Sequence, residues 1–99
     1  MLNIEKKAKE NELTLVLTGR LDTTTAPALE QEVKASLDGV TALTWDMEAL
    51  EYVSSAGLRV LLSVQKLMNK QGRMKVTHVS REIMDIFEVT GFADILTIE

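Results

Sequence analysis

The sequence predicts an α/β domain: a mixed sheet of four or five strands, with helices packed mainly on one face. Three observations carry this. Near the N-terminus two short segments alternate apolar and polar residues, the period of a half-buried strand. Further along, stretches with apolar residues every three or four positions alternate with short β-rich runs, as strand–helix–strand units do. The resulting order, ββαβαβα with a possible last strand, requires a hairpin followed by parallel crossovers.

The first strand rests on Leu2, Ile4 and Lys6, which alternate with polar neighbours. "KENE" (Lys9–Glu12) is a polar turn, and "LTLVLTG" then sets Leu13, Leu15 and Leu17 against Thr14, Val16 and Thr18. The two segments read as an antiparallel hairpin. Gly19-Arg20-Leu21-Asp22 ends the second strand, and the run Thr23-Thr24-Thr25 offers hydroxyls to cap a helix over about 24–37. Pro27 suits its first turn, where a missing N–H costs nothing. Ala26, Leu29, Val33 and Leu37 follow at helical spacing, opposite Glu30, Gln31, Glu32 and Lys34, and Asp38-Gly39 closes the helix.

"VTALTWDM" (Val40–Met47) reads as a central strand covered on both faces, with Trp45 in the core and Glu48 and Glu51 in a solvated loop beyond it. A second helix is predicted over about 55–71, stopped by Gly72. "MKVTHV" (Met74–Val79) is a short strand, Ser80 caps a third helix over about 81–90, and Gly91 stops it. "DILTIE" (Asp94–Glu99) can add a last strand. Met47, Met68, Met74 and Met84 read as core filler.

The 99 residues read as a single domain, 1–99, long enough to bury a core. A formal net charge of −4 argues against direct nucleic-acid binding, which needs a basic face. No apolar run approaches the length of a membrane span, and the N-terminal "MLNIEKKAKENE" has no signal-peptide core, so a cytoplasmic location and no membrane partner are expected. The absence of cysteine excludes disulfides and thiolate chemistry, and a single histidine leaves little for a metal site. No Gly-rich phosphate loop is present and no cofactor is expected, so any ATP would belong to a partner.

The informative stretch is "LEYVSSAGLRVLL" (Leu50–Leu62), where a short polar break separates two apolar segments. On the second helix Leu58, Leu61, Leu62, Gln65 and Met68 share one face, with Val60, Val64 and Leu67 beside them. Ser55, Arg59, Ser63, Lys66 and Lys70 form the opposite stripe. Ser54 reads as an N-cap. Ser55 heads the solvent-facing stripe, either as an ordinary first-turn serine or as a hydroxyl presented to another protein. Gly57 in the first turn is costly for a helix by about 1 kcal/mol, and a close approach by backbone or partner would explain it. A catalytic reading of the strand–serine–helix arrangement fails: G-x-S-x-G is missing, and the only imidazole, His78, sits in a strand pattern.

Three segments together resemble the STAS domains, and among them the bacterial anti-sigma factor antagonists: "LTGRLD" (Leu17–Asp22), "WDMEALEYVSSAGLRVLL" (Trp45–Leu62) and "IFEVTGFADIL" (Ile86–Leu96). The resemblance covers essentially the whole chain. It implies that Ser55 is the serine phosphorylated by a partner, with Ser54 as the alternative acceptor. It also implies that Asp22 lies beside that site and that Asp46 occupies an Asp/Asn position at the end of the central strand. The partner implied is an anti-sigma factor that is also a serine kinase of the histidine-kinase-type ATPase fold, bound by the unphosphorylated protein and released on phosphorylation. A phosphatase would reset the switch. The partner-binding residues implied are Asp22, Ser54, Ala56, Gly57 and Arg59. Two positions depart from the family pattern: Ser54 stands where Asp is frequent, and Ala56 where Ser or Thr is frequent. The alternative is a docking or ligand-sensing module of the same fold that is never phosphorylated.

Overall fold

The hairpin forms as the alternation predicts. In the computed structural model, which spans residues 1–99, β1 (Leu2–Lys9) pairs antiparallel with β2 (Glu12–Leu21). The chain continues through α1 (Ala26–Ser36), β3 (Ala42–Val53), α2 (Ser55–Gln71), β4 (Arg73–Thr77) and α3 (Arg81–Thr90), ending in a 3-10 turn over Phe92–Asp94. The four strands lie in the order β1-β2-β3-β4, with β2, β3 and β4 mutually parallel. No helix is long and apolar enough to cross a membrane.

Residues paired across the sheet share a face. Leu13 lies beside Leu43 and Met74, and Leu15 beside Trp45 and Val76; all six are buried under the helices. The other face carries Thr14, Val16, Thr44, Asp46, Lys75 and Thr77, all half-buried and mostly polar. β3 is therefore covered on one face only, not on both. The 24 buried apolar residues form one cluster that includes Leu29 and Val33 of α1, Leu58, Leu61 and Val64 of α2, and Ile83 and Phe87 of α3. Trp45 is wholly buried in it, with its indole N–H unpartnered. Met47, Met68 and Met74 are buried as filler, but Met84 is half-exposed on α3.

β3 also departs from the expected length. Glu48 and Glu51 do not lie in a loop: the strand runs on to Val53. Opposite β2 it gains an extra residue twice, since Val16 and Thr18 face Asp46 and Ala49, and Gly19 and Arg20 face Leu50 and Tyr52. Each bulge shifts the phase by one residue. Met47, Leu50 and Val53 thus point inward at intervals of three, with exposed pairs between them. That period belongs to neither a regular strand nor a helix.

Elsewhere the chain ends its elements by close contact. Gly72 is extended, and a Cβ there would lie 2.0 Å from the Thr41 carbonyl oxygen, which accepts from the Arg73 amide at 2.9 Å. The tail does not form a fifth strand. Ile98 makes a single parallel bridge to Val76, held by the Val76 amide to the Thr97 carbonyl at 2.8 Å.

Candidate functional site

The C-terminal ends of β2 and β3 deliver the chain to the starts of α1 and α2, side by side. The joint is a backbone bond: the Ser54 amide donates to the Leu21 carbonyl at 2.8 Å. Leu21 is fully buried, and its side chain fills the space where a side chain at position 57 would go. A Cβ on Gly57 would sit 2.6 Å from Leu21 Cγ and 3.2 Å from the Leu21 carbonyl oxygen. The glycine in the first turn of α2 is thus required by the end of β2 within the same chain. Gly57 is buried and offers no surface to a partner, contrary to its expected place among the binding residues.

The two serines are separated by role. Ser54 is extended, with φ −89° and ψ 174°, and its hydroxyl accepts from the Gly57 amide at 3.3 Å. It is the N-cap of α2, half-buried and engaged. Ser55 is the first residue of the helix, is exposed, and its hydroxyl has no partner in the fold. It heads the stripe continued by Arg59, Lys66 and Lys70, all exposed, with Ser63 half-buried among them. Ala56 is half-buried beside it.

Asp22 follows Leu21 and so stands next to the Ser54–Ser55 turn, as expected. It is not freely exposed, however, but half-buried and committed to α1. Its Oδ1 accepts from the Thr24 hydroxyl at 2.7 Å, the Thr24 amide at 3.0 Å and the Thr25 amide at 3.1 Å. Asp22 therefore ties down the turn of Thr23–Thr25 that leads into α1, and the threonine hydroxyls expected to cap the helix do not; Thr25 makes no side-chain cap. The Thr24 hydroxyl bond, helped by the Thr25 and Thr24 amides and the Thr25 hydroxyl and opposed by partial desolvation, holds the Asp22 carboxyl below its usual range.

Arg20 and Tyr52, neither singled out by the sequence, flank this aspartate. They face each other across β2 and β3, with the guanidinium 4.5 Å from the ring centroid and Arg20 Nε 3.9 Å from Asp22 Oδ2. Only the bulged register brings them together, and no local pattern signals it.

Between α1 and α2, beginning one residue past the exposed serine, at Ala56, runs a shallow groove lined by Pro27, Glu30, Ala56, Arg59, Ser63 and Lys66. Its acid is satisfied: Lys34 Nζ lies 2.9 Å from Glu30 Oε2, and this bond, with help from the Ser63 hydroxyl, lowers the Glu30 pKa. Arg59 and Lys66 have no carboxylate within ion-pair distance.

A second polar cluster lies midway along β3, beside the end of β4; because β3 runs on to Val53, Asp46 is not at the end of the central strand as expected. His78, just past β4 with φ 58°, sets Nδ1 3.2 Å from Asp46 Oδ1, which also accepts from the Glu48 amide at 3.1 Å. Asp46, Glu48 and His78 each bring one ligand atom within 4.8 Å of the others, but these internal bonds already account for their arrangement. Seven residues of strand lie between Asp46 and Ser54, roughly 25 Å at about 3.3 Å per residue, so His78 cannot act as a base for either serine.

The chain and its fold have counterparts among known proteins. The chain is 28% identical over 98 residues to the anti-sigma-B factor antagonist of Bacillus subtilis, covering 98% of this chain and 90% of that one. It is 34% identical over 88 residues to BtrV of Bordetella bronchiseptica, a candidate anti-sigma factor antagonist, covering 87% and 76% respectively. Among solved structures, an anti-sigma factor antagonist from Mycobacterium paratuberculosis superposes with a TM-score of 0.89 at 24% identity, over 99% of this chain and 85% of the other. SpoIIAA in its unphosphorylated form gives a TM-score of 0.83 at 18% identity, over 100% and 88%. At these identities the structural likenesses speak for the fold. The STAS domain family model matches residues 3–99, the whole run from β1 to the C-terminal bridge, and the chain belongs to the STAS domain family.

Proposed function

We propose that this protein is an anti-sigma factor antagonist switched by phosphorylation of Ser55. In its unmodified form it binds an anti-sigma factor, which thereby gives up its sigma factor; the phosphorylated form lets go. The single observation carrying the choice of residue is the division of labour at the start of α2. Ser54 is tied down as the cap, while Ser55 is exposed with a free hydroxyl. Relatives named as anti-sigma factor antagonists support the partner class. SpoIIAA, of the same fold, has been solved in both unphosphorylated and phosphorylated forms.

The chemistry asks little of this chain. The Ser55 hydroxyl oxygen attacks the γ-phosphorus of an ATP held by the partner. The bond from that phosphorus to the β,γ-bridging oxygen breaks, ADP leaves, and the hydroxyl proton passes to a base of the partner. The product carries about −1.5 to −2 charges next to the unpaired amides of the first turn of α2, so the fold tolerates it. At a docked interface the same charge must be desolvated, and a loss of about 2–5 kcal/mol in binding is reasonable. Asp22 and the residues around it, exposed Ser55 and Arg59 and half-buried Ala56, are the contact surface.

The test is mass spectrometry after incubation with the partner kinase and ATP, with binding measured alongside. Ser55→Ala should bind and resist release; Ser55→Asp should bind poorly. Phosphate found only on Ser54, or full binding by Ser55→Asp, overturns the assignment.

A further inference from the structure

The groove beside Ser55 has an unusual charge balance, and it points to how a phosphate would act. Glu30 is neutralised by Lys34, whereas Arg59 and Lys66 are exposed and unpaired on the opposite wall. Two free cations in a groove also lined by the apolar Pro27 and Ala56 fit a carboxylate-bearing segment of a partner. Arg59 also stands four residues after Ser55 on the same stripe of α2, the spacing at which side chains on a helix surface meet.

We propose that Arg59 is shared between two anions in turn. In the unmodified protein Arg59, with Lys66, receives an acidic side chain of the partner in the α1–α2 groove. Once Ser55 is phosphorylated, the phosphate one turn earlier takes the Arg59 guanidinium for itself. The release signal is then the withdrawal of a binding cation within the antagonist, beyond simple repulsion. Arginine suits this exchange because its planar fork can hold two oxygens of either a carboxylate or a phosphate.

This rests on Ser55 being the switch, so the first measurement is made without any kinase or partner. Phosphoserine is installed at position 55 during translation, and its second ionisation is followed by phosphorus NMR in the wild-type chain and in Arg59→Gln. The expected result is a phosphate pKa about half a unit lower with Arg59 present, largely restored by Arg59→Lys at low salt. Equal values in the wild type and Arg59→Gln overturn the pairing, whether or not a kinase uses Ser55. The second measurement is a binding cycle with the purified anti-sigma factor. Arg59→Gln should weaken binding of the unmodified protein about tenfold, and phosphoserine should then cost Arg59→Gln far less than it costs the wild type. Unchanged affinity of Arg59→Gln, or strictly additive losses, overturns the shared-cation mechanism while leaving phosphorylation at Ser55 intact.

Discussion

The starts of α2 and α3 are built alike and left in opposite electrostatic states. Each begins with an extended serine, Ser54 or Ser80, whose hydroxyl accepts from the amide three residues on, at 3.3 Å from Gly57 and 3.2 Å from Ile83. Beyond the cap they diverge. The first turn of α3 contains Glu82, which meets the positive end of the helix with a charge of its own. The first turn of α2 contains no acid, and its exposed position is filled by Ser55. Before α1, Asp22 accepts from the amides of Thr24 and Thr25 in the turn that leads into the helix. α1 has no acid in its first turn either, but the Asp22 carboxylate lies in the turn that leads into it; α2 combines an acid-free first turn with an exposed serine at its first position. A cap is structural wherever it occurs; what marks the α2 start as a site is the charge the fold withholds.

The third helical position makes the sharpest contrast and the largest expected effects. Ile83 fills the core at that position of α3, whereas Gly57 at the same position of α2 yields its space to Leu21. Ile83→Ala should lower stability by about 2–5 kcal/mol through a cavity. Gly57→Ala should also destabilise, although alanine favours a helix: overpacking against Leu21 costs about 1–3 kcal/mol and improved propensity returns about 1. Chemical denaturation measures both. A stabilised Gly57→Ala would break the account of why a glycine sits there.

Removing the caps tests the likeness itself. Ser54→Ala and Ser80→Ala should each cost about 1 kcal/mol. The first should also leave Ser55 modifiable, which separates the cap from the acceptor. Asp22 adds a pH-dependent counterpart. Its pKa is lowered in the fold, so its contribution is present above the unfolded value of 3.8 and is lost as pH falls through the lower folded value. Asp22→Asn should flatten the acid limb of melting temperature against pH below about 4, compared with the wild type. An unchanged acid limb would mean that the Thr24 and Thr25 bonds add nothing to the fold.

Much of this was readable in the sequence because the signals are local. The hairpin, the capping serines, the α2 stripe and the stop at Gly91 follow from period and residue type, and the helices at 55–71 and 81–90 coincide with the predicted ones. What escaped depends on contacts between segments distant in sequence. Two bulges in β3 destroyed its alternation, so Glu48–Tyr52 resembled a loop and the Arg20–Tyr52 pair was invisible. The role of Gly57 requires knowing that Leu21 arrives from another strand. The tie from Asp22 to Thr24 and Thr25 escaped because an Asx-type bond needs no special pattern beyond a short polar run.

The smallest effect probes the electrostatic difference directly. Ser55→Asp places a negative charge at the first position of α2, whose first turn holds no other acid and whose free amides favour it, so the fold should gain about 0.3–1 kcal/mol at low salt. The equivalent change in α3, Arg81→Asp, puts a second acid beside Glu82 and removes the guanidinium that lies 3.8 Å from Asp85 Oδ1. It should gain nothing or lose slightly. Melting curves at low and high salt decide the matter: the gain at position 55 should shrink as salt screens it. If both substitutions behave alike, the charge state of the α2 start is not special, and the tolerance of a phosphate there needs another cause. If Ser55→Asp stabilises the chain while weakening its hold on the anti-sigma factor, the loss of binding cannot be ascribed to damage of the fold.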